Sequence, residues 1–195
     1  MSDMSTRNVA IYIFDEIEVL DFCGPFEVFT VAGRKGAFNV YTVAEQEHTI
    51  STRGGMQVIP RYTWENAPAP HIIVVPGGKG AEQLVDHAPT VNWVRATAAS
   101  AELVLSVCTG ALLLGKAGLL DGLTATTHHK RLARLRECAP GAMVVSDRRY
   151  VDNGKIVTSA GVSAGVDASL HVVERVLGRV HAEETAANME YDWRG

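Results

Sequence analysis

The 195-residue sequence lacks the marks of several whole classes of protein. Its first residues, MSDMSTRN, are polar with no apolar centre, so no secretory signal is expected. No apolar run approaches the roughly 20 residues that a membrane span needs. Cysteine is scarce: Cys23, Cys108 and Cys138 are an odd set with no CxxC spacing and no Cys/His cluster. That composition argues against a disulfide framework and against a zinc site, and fits a reducing cytoplasm. Basic blocks are missing too. Lys+Arg total 18 against 22 Asp+Glu, a net charge of -4, and RLARLR at 131–136 reads as the solvated face of a helix. Nucleic acid and anionic membranes therefore have little electrostatic support as partners. There is no repeat, low-complexity tract or linker. What remains is one globular domain over residues 1–195, with 1–7 disordered and 47% hydrophobic residues to fill a core.

Short β-branched and aromatic runs alternate with helical spacings. NVAIYIF (8–14), AFNVYTVA (37–44), HIIVVPGG (71–78) and ELVLSV (102–107) read as buried strands. Between 18 and 32, Val19, Phe22, Phe26 and Phe29 recur at helical steps. GGMQVIPRYTW (54–64) reads as an edge excursion, because Pro60 would break a central ladder. Two helical stretches are expected near 80–87 and 90–100, another from CTGALLLGKAG, a glycine-rich one over 160–178, and a last from Val180 to about Tyr191. RYVDNGKIVTS (149–159) predicts a hairpin with a type I′ turn at Asn153-Gly154. Alternation of this kind implies a mostly parallel sheet covered on both faces, an α/β/α sandwich.

In such folds ligands bind beyond the carboxyl ends of the strands. That rule selects the stretch from Asp15 to Asp21, the Gly77-Gly78 turn, and Cys108. Cys108 sits where a buried strand meets a helix, the geometry of a nucleophile elbow. A thiol at a helix N-terminus should have a lowered pKa. The alternative is an inert core cysteine. Gly77 and Gly78 make a tight turn, and their amides, with that of Thr109, could stabilise an anion beside the sulfur. Asp21, among Leu20, Phe22 and Phe26, is either a helix cap or a buried proton donor with a raised pKa. One of His128 and His129 is expected to reach the cleft. Cys23 reads as a small core residue, and His181-Ala-Glu183 as a chance pairing within a late helix.

VLDFCGPFEVF, VVPGGKG, SVCTGALLLGKAGLLDG, ATTHH and TSAGVSAGVDASLHVVE resemble, in order and spacing, the ThiJ/PfpI superfamily. The resemblance covers about residues 8–191 and implies a flavodoxin-like fold related to the class I glutamine amidotransferases. Within the superfamily the Cys108-Thr109 pair and Asp21 in an LDxxGP motif are most similar to the isonitrile hydratases. That likeness implies attack of Cys108 on the isonitrile carbon, protonation by Asp21, a thioimidate, and release of an N-substituted formamide by water held on Asp21 and Thr109. No metal or nucleotide is implied, and the partners are a small-molecule substrate and a second copy in a homodimer. Gly77, Gly78 and His128 would border the substrate.

Departures carry weight as well. The proteolytic branch has histidine where Thr109 stands, which removes its base. Glyoxalases and deglycases acting on methylglyoxal usually carry glutamate in place of Asp21. The hydratases have threonine at Cys23 and a tail that runs on beyond the EY pair, where this sequence stops at EYDWRG. AraC-like transcription regulators carry the same domain as a sensor, with nearly the same CTG and TTH motifs. The sequence ends before a helix-turn-helix could begin, which leads to the expectation of a free-standing enzyme. A thiol sensor, oxidising at Cys108 to a sulfinic acid, stays open beside it.

Overall fold

A computed structural model describes residues 6–193. The chain opens with β1 (Arg7–Tyr12), α1 (Val19–Ala32) and β2 (Phe38–Ala44). Three short strands follow, β3 (Ile50–Ser51), β4 (Gln57–Val58) and β5 (Tyr62–Thr63), then β6 (Ile72–Val75), α2 (Lys79–Leu84) and α3 (Ala88–Ser100). Next come β7 (Leu103–Ser106), α4 (Gly110–Lys116), β8 (Thr124–Ala125), α5 (Leu132–Cys138) and β9 (Met143–Val144). The chain closes with β10 (Tyr150–Asp152), β11 (Ile156–Ser159), α6 (Ala164–Leu177) and α7 (Arg179–Asn188).

Seven strands form the main sheet in the order β10-β11-β7-β6-β1-β2-β5. All neighbours are parallel except β10 and β11, which form the hairpin. β3 pairs with β4, and β8 with β9, in small separate sheets. From β1 the chain steps to β2 in one direction, and from β6 to β7 in the other. Right-handed crossovers therefore put α1 and α3 on opposite faces. α6 and α7 pack with α1, while α2, α3 and α5 gather on α4, which completes three layers. The strand order reverses between β1 and β6, so the carboxyl ends of β1, β6 and β7 border one crevice.

The central strands are buried on both faces, as their unbroken apolar runs require: Ile72 to Val75 are all buried, as are Leu103 to Ser106. α1 turns Phe22, Val28 and Phe29 inward, with Phe22 at 4% exposure and the other two at 0%. Each such side chain contributes about 1.5–3 kcal/mol by leaving water. Among the described residues no helix is long and apolar enough to cross a membrane.

Four expectations need correction. Arg7 already belongs to β1 and Thr6 donates its hydroxyl to Gly36 O at 2.8 Å, so disorder does not extend to these two residues; residues 1–5 lie outside the described residues. The hairpin has no type I′ turn, because only Gly154 has a positive φ there (84°). Asn153 instead pairs with Ile156 and exchanges two side-chain hydrogen bonds with the Thr124 backbone, which fixes it outside the turn. The helix expected from residue 160 starts at Ala164, and residues 160–163 form a loop in which Val162 has φ 50°. Arg131 does not lie on a solvated helix face: it precedes α5 and forms an ion pair with Glu82 at 2.8 Å.

Candidate active site

Cys108 follows β7 by two residues and has φ 55°, one of few positive values on a non-glycine residue. That conformation turns the side chain out of the sheet plane at the mouth of the crevice. Val107 N donates to Val75 O at 3.0 Å and Thr127 Oγ1 to Cys108 O at 2.7 Å, so the elbow is held from both sides. The backbone N–H groups of Thr109 and Val162 lie near the sulfur and lower its proton affinity. Val162 was not legible in the sequence; its role follows from a left-handed φ that a β-branched residue rarely adopts.

Asp21 lies in the first turn of α1 and is fully buried. It is not the helix cap, a position held by Glu18. Its Oδ2 accepts from Gly77 N at 3.2 Å, while Oδ1 has no partner in full hydrogen-bond geometry. Burial pushes its pKa up to about 7, against a hydrogen-bonding contact with Cys108 that lowers it. The expected direction is therefore met for Asp21.

Cys108 goes the other way from the expectation. Its thiol is pushed up to about 12, first by burial and then by the negative charge of Asp21; the two amides at the sulfur only partly offset this. The helix-dipole argument fails because α4 is seven residues long and starts two residues later. At neutral pH the pair thus holds a proton on sulfur.

The Gly77-Gly78 turn also differs in detail. Its two amides are already committed, Gly77 N to Asp21 and Gly78 N to Thr109 Oγ1 at 2.9 Å. The Thr109 hydroxyl in turn donates to Gly78 O at 3.1 Å. The backbone N–H groups near the sulfur are therefore those of Thr109 and Val162 rather than the glycines'. A Cβ on Gly77 would come within 2.5 Å of Thr109 N and 2.8 Å of Asp21 Oδ2, so only glycine lets these three segments meet. Gly78 has φ 130° and pairs with Ile17 in an isolated antiparallel bridge.

Above the sulfur opens a cleft of about 460 Å³, bordered by Gly78, Cys108, Thr109, His128 and Val162 and by charged side chains at its rim. Of the two histidines, His128 borders it and His129 does not. The Nδ1 of His128 accepts from Lys130 N at 3.2 Å, which leaves the Nε2–H form when the ring is neutral. Burial and the neighbouring positive groups lower its pKa. A Cβ on Gly161 would strike its ring at 2.3 Å, so that glycine makes its place. The 160–163 loop is tied down by Arg149, which reaches both Ser163 and Asp167, and by Tyr191, whose hydroxyl donates to Asp167 at 3.0 Å.

Cys23 is half-buried against the core and Cys138 is buried. His181 spends its Nε2 on Ala32 O at 2.9 Å and Glu183 pairs with Arg179, both away from the cleft. Among the described residues no three His, Cys, Asp or Glu side chains are placed to hold a metal ion.

The sequence pattern of the DJ-1/PfpI family matches residues 7–175. The chain belongs to the DJ-1/PfpI family. The isonitrile hydratase of Pseudomonas putida is 34% identical over 94% of this chain and 78% of its own length. The HTH-type transcriptional regulator GbdR of Pseudomonas aeruginosa is 28% identical over 93% of this chain, which spans 48% of that regulator. A crystal structure of a ThiJ/PfpI family protein from Pseudomonas syringae superposes with a TM-score of 0.89 at 29% identity, covering 98% of this chain and 78% of that one. The family thus joins named hydratases and regulators on one flavodoxin-like scaffold, and the scaffold alone does not decide between them.

Proposed function

We propose that the protein hydrates an isonitrile to an N-substituted formamide, with Cys108 as nucleophile and Asp21 as the proton carrier. The observation that carries this is the buried Asp21–Cys108 pair, whose carboxyl is held near neutrality beside a protonated thiol. Addition to an isonitrile places both new bonds, one to sulfur and one to hydrogen, on the same terminal carbon. Asp21 takes the thiol proton as sulfur attacks and returns it to that carbon, giving the thioimidate R–N=CH–S–Cys108. Water adds to the thioimidate carbon, with Asp21 taking one of its protons and passing it to the nitrogen. The tetrahedral carbon then expels sulfur as Asp21 takes the remaining hydroxyl proton and delivers it to the thiolate, and R–NH–CHO leaves. The amides of Thr109 and Val162 stabilise the negative charge on sulfur in both steps. Thr109 holds Gly78, and with it the Gly77 amide that orients Asp21.

Similarity to the Pseudomonas putida hydratase supports this reading. The test is formamide production from an aryl isonitrile by the wild type, Cys108→Ala and Asp21→Asn. Turnover that both variants abolish is the expected result; turnover surviving in either removes its role. Conversion of methylglyoxal with no isonitrile turnover would give the site to the glyoxalase reading.

A second reading, a ligand-sensing domain, draws on the likeness to the regulator. The raised thiol pKa weighs against its redox form, since the thiolate is the species that oxidises. The hydratase reading further takes the protein as a cytoplasmic homodimer, with exposed Leu20, Met56 and Ile59 offering apolar surface to a second copy. A monomer in sedimentation at micromolar concentration would remove that part.

A further inference from the structure

The rim of the cleft carries four cations from three places in the chain: Arg53 between β3 and β4, Lys79 at the start of α2, and Lys130 and Arg131 just beyond His128. Two carboxylates accompany them, Glu18 and Glu82. Arg53 is paired with Glu18 at 3.2 Å and Arg131 with Glu82 at 2.8 Å. Lys79 and Lys130 have no ion-pair partner among the described residues, and both are exposed at the rim. The cleft is thus locally positive in a protein whose net charge is -4.

Two other cavities do not share that sign. A second cavity, of about 340 Å³, is bordered by Asp15 and Glu45 with no lysine or arginine, and a third, of about 290 Å³, has no charged side chain. The lowered proton affinity of His128, to which Lys130 and Arg131 contribute after burial and His129, reports the same field on the cleft wall. Isonitrile chemistry at Cys108 creates no lasting negative charge that would need two spare ammonium groups. The spare charge is therefore placed for another part of the substrate.

We propose that the substrate carries a carboxylate, bound between Lys79 and Lys130 at the rim while its reactive carbon reaches Cys108. Both guanidinium groups are already ion-paired with carboxylates, which leaves the two lysines as the unpaired point charges for a substrate anion, a carboxylate being the simplest. The isonitrile part of this inference rests on the hydratase reading; the anion preference does not.

Two measurements separate them. The first compares alkylation of Cys108 by iodoacetate and by iodoacetamide, followed by mass on the Cys108 peptide. These reagents differ in a carboxylate, and the ratio of their rates cancels the thiol's own pKa. In the variant with Lys79→Ala and Lys130→Ala together, the iodoacetate-to-iodoacetamide ratio falls about fivefold or more, and in the wild type it falls with added salt. A ratio indifferent to both changes overturns the proposal. Both lysines are exposed, and an unchanged melting temperature checks that the variant folds. The second compares kcat/KM for 4-isocyanobenzoate and its methyl ester. The acid is the better substrate for the wild type and loses that advantage in the double variant. An ester preferred by the wild type overturns the proposal. If neither is turned over while the alkylation ratio behaves as stated, the hydratase reading fails and the anion site stands.

Discussion

Asp21 raises the proton affinity of the Cys108 thiol, and the thiol in turn is a hydrogen-bonding neighbour of a carboxyl that burial holds near pH 7. With one group at about 7 and the other at about 12, the pair keeps a single proton across neutral and mildly alkaline pH. Above about pH 7 an ionised carboxylate therefore stands beside a thiol that still carries its proton.

Isonitrile hydration should depend on pH with a known sign. Below about pH 7 both groups are protonated and nothing takes the thiol proton, so kcat/KM rises with pH through about 7 and then levels. A rate that is greatest on the acid side would contradict the assignment of Asp21 as the proton acceptor.

Asp21→Asn should uncouple reactivity from turnover. Removing the carboxylate takes away a negative charge that raises the Cys108 pKa, so alkylation of Cys108 by iodoacetamide at pH 7–8 becomes faster, by about tenfold for each pKa unit recovered. Hydration is lost in the same variant. Slower alkylation would show that Asp21 activates the thiol instead.

The same residue should make the protein less stable as pH rises. A carboxyl whose pKa is raised from 3.8 to about 7 favours the folded state below pH 4, and this contribution is lost as pH climbs to about 7. Relative to the wild type, Asp21→Asn therefore gains stability between pH 5 and pH 8, within a ceiling of roughly 3 kcal/mol for the two units up to about pH 7 at about 1.4 per unit. Urea midpoints at the two pH values measure the gain.

Thr109→Val should leave the N–H and C=O of Gly78 without partners, since the Thr109 hydroxyl now serves both. The expected loss is about 2 kcal/mol or more in urea unfolding, with turnover reduced as the glycine turn shifts. Thr109→Ser keeps both bonds and should cost about 1 kcal/mol or less. Equal losses for the two variants would mean that the methyl, not the hydroxyl, matters.

Much of this site could be read from the sequence because it is built at strand ends. Short stretches rich in β-branched and aromatic residues mark β1, β2, β6 and β7, which are four to seven residues long, and the residues just after them fall on one edge of a parallel sheet. Cys108, Asp21, Thr109 and the Gly77-Gly78 turn were located in that way. Val162 escaped because it lies in a glycine-rich stretch that looked helical, and a left-handed backbone at a valine has no local sequence signal. The rim cations escaped for a different reason: they come from three separate places along the chain, and the net charge of -4 gives no sign of them.

What the sequence determined by itself was the layered fold and the identity of the residues at the convergent edge, because strand and helix periods are local properties of a chain. What only the tertiary structure decided was the proton affinity of Cys108, the partners of the Gly77 and Gly78 amides, and the sign of the field at the cleft. Each of these depends on burial and on charges brought close in space by distant segments. Asp21 reaches Cys108 through the packing of α1 against β6 and the Gly77 turn that follows it, and no spacing along the chain records that distance.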